Sequence, residues 1–315
     1  MAFFQCDFFS TALCFNTSVN IIIPTASATE AGADGLPEGR KYPVMYLFHG
    51  AYGDHSDWQR LTRIEQYARQ HKLAVVMPSA SNSFYLDMPY GSGYLSYISR
   101  ELPDFIRKNF PVSRLRAYNF TAGLSMGGYG AIRAALARPN LFSAAISLSG
   151  AIDFPALKNR GSEGEPRAWR AMFEDSDGYR ARDADLAYIA KGLAASGQPL
   201  PRLFISCGTE DFLYDINQSA CRKFRALGMD VRYEEHPGAH EWAYWDEHIR
   251  RGIEWLDLPG THFFCDTRAA AGPVAEDFFA RENVRCANVS AGRTKQAFVL
   301  LSQKVLANIR TALGE

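Results

Sequence analysis

The pentapeptide Gly123-Leu-Ser125-Met-Gly127 sets a serine between two glycines, each two positions away. A serine hydroxyl is a poor nucleophile until an imidazole within hydrogen-bond reach takes its proton and a carboxylate orients that imidazole. The glycines belong to the same chemistry. A sharp strand-to-helix turn holds the serine in a strained conformation, and side chains two residues either side would collide with the flanking elements. Such a turn lifts the hydroxyl above a sheet, at a helix N-terminus that favours developing negative charge.

In chains with this turn the order is serine, acid, histidine. His236, His240 and His248 follow Ser125 ahead of the tail, which holds His262. His240 lies in Pro237-Gly-Ala-His240-Glu-Trp242, in a loop just past the strand read at Val231–Glu235, and is the expected base; His236 is the alternative, and His248 falls within the next helix. The run Leu203–Cys207 is followed by Gly208-Thr-Glu-Asp211-Phe-Leu-Tyr214-Asp215, which makes Asp211 the expected acid. Glu210 and Asp215 are the other carboxylates there, and Asp215 suits a helix cap.

A tetrahedral oxyanion needs two fixed donors. One is expected from the N–H of Met126, after the nucleophile. The other is expected from Ala51 in His49-Gly50-Ala51-Tyr52-Gly53, where His49 would brace the loop. The aromatic segment Ser79–Tyr97 could line a pocket. Tyr52, Phe84, Tyr85 and Trp242 are the candidate substrate contacts.

These residues need a scaffold that presents them together. Short strand-like segments at 44–48, 73–77, 117–121, 144–148, 203–207 and 231–235 alternate with helical patterns at 60–71, 95–109, 129–137, 217–227 and 246–256. Strand–helix alternation with short connections predicts an α/β fold, a mostly parallel sheet covered on both faces, with its site at the carboxyl ends of the strands. Thr11–Phe15 and Val19–Ile23 read as a hairpin turning at Asn16-Thr17-Ser18. Residues 1–258 are expected to form the catalytic domain. The polar, Gly-rich stretch 152–200 reads as a lid-like insertion. Residues 259–315 form a C-terminal extension, at least partly helical, with Phe298, Leu301, Val305, Ile309 and Ala312 at helical spacing.

The chain has 315 residues, 47% hydrophobic and 22% charged, with 34 basic and 34 acidic side chains. Zero net charge argues against binding nucleic acid through phosphate neutralisation. No apolar run reaches the roughly 18 residues of a membrane span. The N-terminus lacks a basic segment and meets Asp7 early, so it is a poor secretory signal. Cys6, Cys14, Cys207, Cys221, Cys265 and Cys286 are scattered and read as reduced thiols of a cytoplasmic protein. The Asn-x-Ser/Thr triplets at Asn16, Asn119 and Asn288 then carry no meaning. No metal pattern is visible.

The set His49-Gly50, Asn82-Ser83-Phe84-Tyr85, Gly123-Leu-Ser125-Met-Gly127-Gly128, Cys207-Gly-Thr-Glu-Asp211-Phe-Leu-Tyr214 and Gly238-Ala-His240-Glu-Trp242 resembles the esterase D branch of the α/β-hydrolases. It is most similar to bacterial tributyrin esterases, relatives of feruloyl and acetyl-xylan esterases and of S-formylglutathione hydrolases. The resemblance spans about Met1–Leu256. It implies a Ser125–Asp211–His240 triad, oxyanion donors at Ala51 and Met126, no cofactor, and hydrolysis of small short-acyl or feruloyl-type esters. A homo-oligomer is compatible with it. The oxyanion loop differs from the Ser-Gly-Leu-Thr-Cys typical of S-formylglutathione hydrolases. Thioester hydrolysis, acyl transfer to an alcohol as in mycolyltransferases of this fold, and a non-catalytic binding role are the alternatives.

Overall fold

A computed structural model describes residues 1–25, 41–88, 91–159, 183–258, 263–265 and 284–286. The chain divides into two units, Met1–Asp257 and Leu258–Glu315. In the second unit, Phe263–Cys265 pairs in parallel with Val284–Cys286. The helical pattern from Phe298 to Ala312 lies outside the described residues, as does 160–182 of the expected insertion.

The first unit opens with an antiparallel hairpin, β1 (Ala2–Ser10) and β2 (Phe15–Ile23). β3 (Val44–Phe48), β4 (Ala74–Pro78), β5 (Asn119–Leu124), β6 (Ala144–Leu148), β7 (Arg202–Gly208) and β8 (Val231–His236) complete an eight-stranded sheet in the order β1-β2-β4-β3-β5-β6-β7-β8. β4, β3, β5, β6, β7 and β8 run parallel to one another, and β2 pairs antiparallel with β4. Strands covered on both faces read as unbroken apolar runs. Val44-Met-Tyr-Leu-Phe48 is such a run, and all five residues are buried. Successive side chains point to opposite faces. Val44, Tyr46 and Phe48 join the cluster formed with Ile98, Leu102, Tyr129, Ile132 and Phe224, whereas Ile146 and Phe204 meet Gly252 and Trp255.

The helices are α1 (Asp57–Leu61), α2 (Ile64–Gln70), α3 (Tyr94–Ser96), which passes through a π-turn into α4 (Leu102–Asn109), α5 (Met126–Ala137), α6 (Phe154–Asn159), α7 (Leu186–Ala195), α8 (Tyr214–Ala226) and α9 (Trp242–Trp255). α5 packs on β3, β5 and β6; α9 packs on β6, β7 and α2.

Two elements differ from the sequence reading. The hairpin turns at Thr11–Cys14, not at Asn16–Ser18, and gains the whole of β1. Cys14 supplies the positive φ of 62° that the turn needs, and the Glu101 carboxylate binds the Ser10 hydroxyl and the backbone N–H of Thr11 and Ala12. Asn16-Thr17-Ser18 instead stays in the ladder, with Ser18 donating to Asp7 at 2.5 Å. The helix expected over 60–71 breaks at Thr62, whose φ of −140° and ψ of 174° are extended. Its hydroxyl donates to the Trp58 carbonyl and accepts from Ile64 N–H, closing the first helix just ahead of the second, whose cap position is held by Arg63. Just past β6, buried Asp153 is held by Lys223 at 2.6 Å and Ser219 at 2.7 Å.

His248 lies in α9, as read from the sequence, and is buried, with its ring stacked 3.7 Å from that of Tyr244. Burial pushes its pKa from 6.5 down to about 4, helped by His236 and Arg251 against the opposing pull of Glu234 and Glu247. Below pH 6.5 the unfolded chain therefore takes up a proton that the folded chain refuses until about pH 4. Stability is lost across that window as pH falls. His248→Phe keeps a stacked ring and removes the titrating nitrogen. Thermal melts are expected to show a smaller loss of Tm for this variant than for the parent between about pH 7 and about pH 5.

Candidate active site

Ser125 sits between β5 and α5 with φ 52° and ψ −119°. That strained conformation is held by its neighbours. Ser125 N–H donates to the Leu148 carbonyl at 2.9 Å, and its own carbonyl accepts from Ala151 N–H at 3.1 Å. The flanking glycines are sterically required. A Cβ at Gly123 would lie 2.3 Å from the Gly127 carbonyl oxygen, and one at Gly127 would lie 2.4 Å from that of Phe48. Both obstacles are backbone and cannot swing away. The turn leaves Ser125 partly exposed above the carboxyl end of the sheet.

The loops after β7 and β8 bring two further groups to this serine. His240 Nε2 lies 3.0 Å from Ser125 Oγ, and His240 Nδ1 lies 2.9 Å from Asp211 Oδ2. Asp211 is buried, and burial alone would raise its pKa. Hydrogen bonds from His240, from Leu213 N–H and from the Ser149 hydroxyl outweigh this and hold it below the usual carboxylate value. The Leu213 bond is 2.8 Å long. An ionised Asp211 places the imidazole proton on Nδ1 and leaves Nε2 to accept from Ser125. Glu210 is exposed and turned to the Gly238 N–H, tying the two loops together. Asp215 lies inside the first turn of α8 rather than capping it, since Leu213 holds the cap position. His236 is 3.7 Å from Glu234, away from this array.

The loop after β3 approaches the serine from the other side. A Cβ at Gly50 would lie 3.6 Å from Ser125 Cβ. His49 is buried, accepts from Ala80 N–H at Nε2 (2.9 Å), and donates from Nδ1 to the Gly50 carbonyl (2.6 Å). Burial lowers its pKa, so the neutral ring that this pattern needs is the favoured form. Trp58 Nε1 anchors the Phe48 carbonyl at 2.9 Å. Ala51 is exposed at the bend that follows. Met126 opens α5, where first-turn N–H groups have no partner within the helix.

The candidate substrate residues fare differently. Tyr52 is 83% exposed, with its N–H on Asn82 Oδ1 at 2.7 Å. Phe84 is half-buried against Ala151, Leu213 and Ile216, of which Ala151 bonds the Ser125 carbonyl and Leu213 the Asp211 carboxylate through their N–H groups. Trp242 is half-buried, edge-on to Trp58 and Trp245. Tyr85 is a correction: it is fully buried and cannot touch a substrate. Positive φ at both Phe84 and Tyr85 turns the chain. The Tyr85 ring stacks on Phe48, and its hydroxyl donates to the His49 carbonyl at 2.9 Å. Three residues escaped the sequence reading. Phe212, 65% exposed, lies with its ring 4.6 Å from that of His240; its place beside Asp211 was the available signal. Ser149 and Trp245, both buried, are bonded to each other at 3.1 Å, and the indole stands edge-on to the imidazole. Nothing in the sequence marked them. Among the described residues no group of His, Cys, Asp and Glu is arranged to hold a metal.

The Esterase family model ("Putative esterase") matches residues 10–256. An acetyl esterase of Caldicellulosiruptor saccharolyticus is 30% identical over 81% of this chain and 98% of its own. Two Staphylococcus aureus structures are each 31% identical over 81% of this chain and 98% of theirs. One is the substrate-bound fluorophosphonate-binding serine hydrolase FphF (TM-score 0.73), the other the S-formylglutathione hydrolase FrmB (TM-score 0.71). Among the described residues no helix is long and apolar enough to cross a membrane. A mostly parallel sheet with a strained serine turn after β5, together with these matches, places the chain in the Esterase family, as an ester hydrolase of the serine-hydrolase type with an α/β-hydrolase fold.

Proposed function

We propose that this chain is a carboxylesterase of the esterase D branch that hydrolyses short-chain acyl esters, with feruloyl-type aromatic esters as a second acyl class. The observation that carries the reading is the hydroxyl–imidazole–carboxylate line, 3.0 Å and then 2.9 Å. Ser125 Oγ attacks the ester carbonyl as His240 takes its proton. The N–H groups of Ala51 and Met126 receive the oxyanion. His240 returns the proton to the departing alcohol. Water, deprotonated by His240, then releases the acid and restores the serine. Asp211 stays ionised throughout and holds the imidazolium. Phe84 beside Leu213 and Ala151 offers an apolar wall for the acyl group, while Tyr52 and Trp242 contact the rest of the substrate. Free thiols at Cys6, Cys14, Cys207 and Cys221 suit work in the cytoplasm.

Thioester hydrolysis is the second reading, favoured by the likeness to FrmB. A p-nitrophenyl ester chain-length series run beside methyl ferulate and an S-acyl glutathione separates the classes. The expected result is highest kcat/KM on acetyl to butyryl esters and stoichiometric fluorophosphonate labelling of Ser125. A kcat/KM on the glutathione thioester exceeding every oxygen ester would replace the substrate class. Absence of any adduct at Ser125 would overturn the nucleophile.

A further inference from the structure

The His240 imidazole stands at the end of a row of aromatic rings. Trp242 and Trp245 are three positions apart on α9, so their side chains are neighbours on one face of the helix. Trp245 is edge-on to His240, with centroids 4.8 Å apart and planes at 87°. Trp242 is edge-on to Trp245 at 5.2 Å and 85°. Trp58, from α1, is edge-on to Trp242 at 5.4 Å and 88°. Such rings prefer this arrangement, because the positive edge of one meets the negative face of the next. Trp58 and Trp245 are buried and Trp242 half-buried. Phe212 also lies against the imidazole, but it is an exposed ring rather than part of the row.

Both ends of the row are bonded to the sheet. Trp245 Nε1 donates to Ser149 Oγ at 3.1 Å, and Ser149 N–H donates in turn to the Ser206 carbonyl at 2.7 Å. Trp58 Nε1 donates to the Phe48 carbonyl at 2.9 Å. Phe48 ends β3 and leads directly into His49-Gly50-Ala51, the loop that faces Ser125. The row therefore runs from the base to the root of the oxyanion loop. Proton transfer and oxyanion stabilisation act on the same intermediate, so base and donor must keep their spacing. Resting on the triad reading above and on Ala51 as an oxyanion donor, we propose that Trp58, Trp242 and Trp245 are positioning residues, a rigid aromatic row that holds the His240 imidazole in place relative to the loop after β3. In this role they act through His240 and the loop, not on the substrate.

α9 has a second tie to the same region. Asp246 accepts from Arg63 N–H at 2.9 Å and from Arg63 Nε at 3.0 Å, which joins α9 to the start of α2 without passing through an indole. Cutting that tie loosens the helix and leaves the row intact. It separates an effect of the row from an effect of where α9 sits.

The test compares Trp245→Leu, Trp242→Leu, Trp242→Phe, the Trp242→Leu/Trp245→Leu double variant and Asp246→Ala with the parent. It reads p-nitrophenyl acetate kinetics together with the rate and final extent of fluorophosphonate labelling. Trp245→Leu and Trp242→Leu are each expected to lose about tenfold in kcat with KM within about twofold. Each is expected to label about tenfold more slowly yet reach the parental extent, which marks misplacement in folded enzyme rather than loss of folded enzyme. Trp242→Phe restores a ring and is expected to recover to within about threefold of the parent. The double variant is expected to be no slower than the slower single one, because both break one row. Asp246→Ala is expected to stay within about twofold. Trp242 is half-buried, so its variants keep the test readable if Trp245→Leu folds poorly. Parental kcat in Trp242→Leu would overturn the proposal, as would a loss confined to KM, which a substrate contact alone explains. So would Trp242→Phe as slow as Trp242→Leu, losses that multiply in the double variant, or an equal loss in Asp246→Ala. If those results appear while Ser125→Ala is inactive, only this inference falls; if Ser125→Ala stays active, the triad reading falls first.

Discussion

Ser125→Ala is expected to lower kcat on p-nitrophenyl acetate by about 10⁴-fold or more, with its melting temperature close to the parent's. The reaction proposed here routes both half-reactions through an acyl bond to Ser125 Oγ, and that atom is the one the substitution deletes. What remains is His240 as a base for direct attack by water, with the oxyanion donors intact. In other triads this leaves only the residual catalysis of binding and the oxyanion hole. The substitution is also structurally mild. The backbone bonds of Ser125 to Leu148 and Ala151 do not involve the hydroxyl. Alanine keeps the Cβ, so the strain at φ 52° is the same in both proteins. A low rate can then be assigned to chemistry rather than to unfolding. A purified Ser125→Ala protein that hydrolysed ester at the parental rate would remove the foundation of the mechanism.

Asp211→Asn is expected to cost about 10³–10⁴-fold in kcat while KM changes little. The carboxylate is buried and accepts from the imidazole and from Leu213 N–H. A carboxamide of the same shape carries no charge to stabilise the imidazolium that forms as Ser125 gives up its proton. It can also donate to Nδ1, which would place the imidazole hydrogen on Nε2 and block acceptance from the serine. Burial and those hydrogen bonds act in opposite directions on Asp211, and the hydrogen bonds prevail. With a folded pKa below the ordinary 3.8, the ionised form adds stability above that value, and the contribution is lost only as pH falls through the folded value. Asp211 therefore stays charged through the neutral range, as the role requires. Glu210→Gln is the control. Its exposed carboxylate tethers Gly238 and faces no reacting group, so stopped-flow and steady-state rates within a few-fold of the parent are expected, whereas a loss equal to that of Asp211→Asn would reassign the acid.

Local sterics made part of this protein readable before any coordinates. Gly123-Leu-Ser125-Met-Gly127 specifies its own turn, because the obstacles at Gly123 and Gly127 come from backbone atoms that any strand–turn–helix of this kind brings close. The pentad Val44–Phe48 announces a buried parallel strand by apolarity alone. Errors arose where one residue type serves two structures. Asn16-Thr17-Ser18 has turn composition, yet the polar side chains fit a strand pairing with Asp7 and its neighbours. Tyr85 has the composition of a pocket residue, and only the paired positive φ values of Phe84 and Tyr85 send its ring inward.

Residue types and their order after each apolar run were enough to nominate a hydroxyl, an imidazole and a carboxylate, since those identities and that succession are written in the chain itself. The folded sheet alone decided that side chains 115 and 29 positions apart would meet at 3.0 Å and 2.9 Å. It alone decided that the Trp245 indole would stand edge-on to the imidazole. Sequence separation carries no distance, and convergence was settled by strand order, which places the carboxyl ends of β5, β6, β7 and β8 side by side.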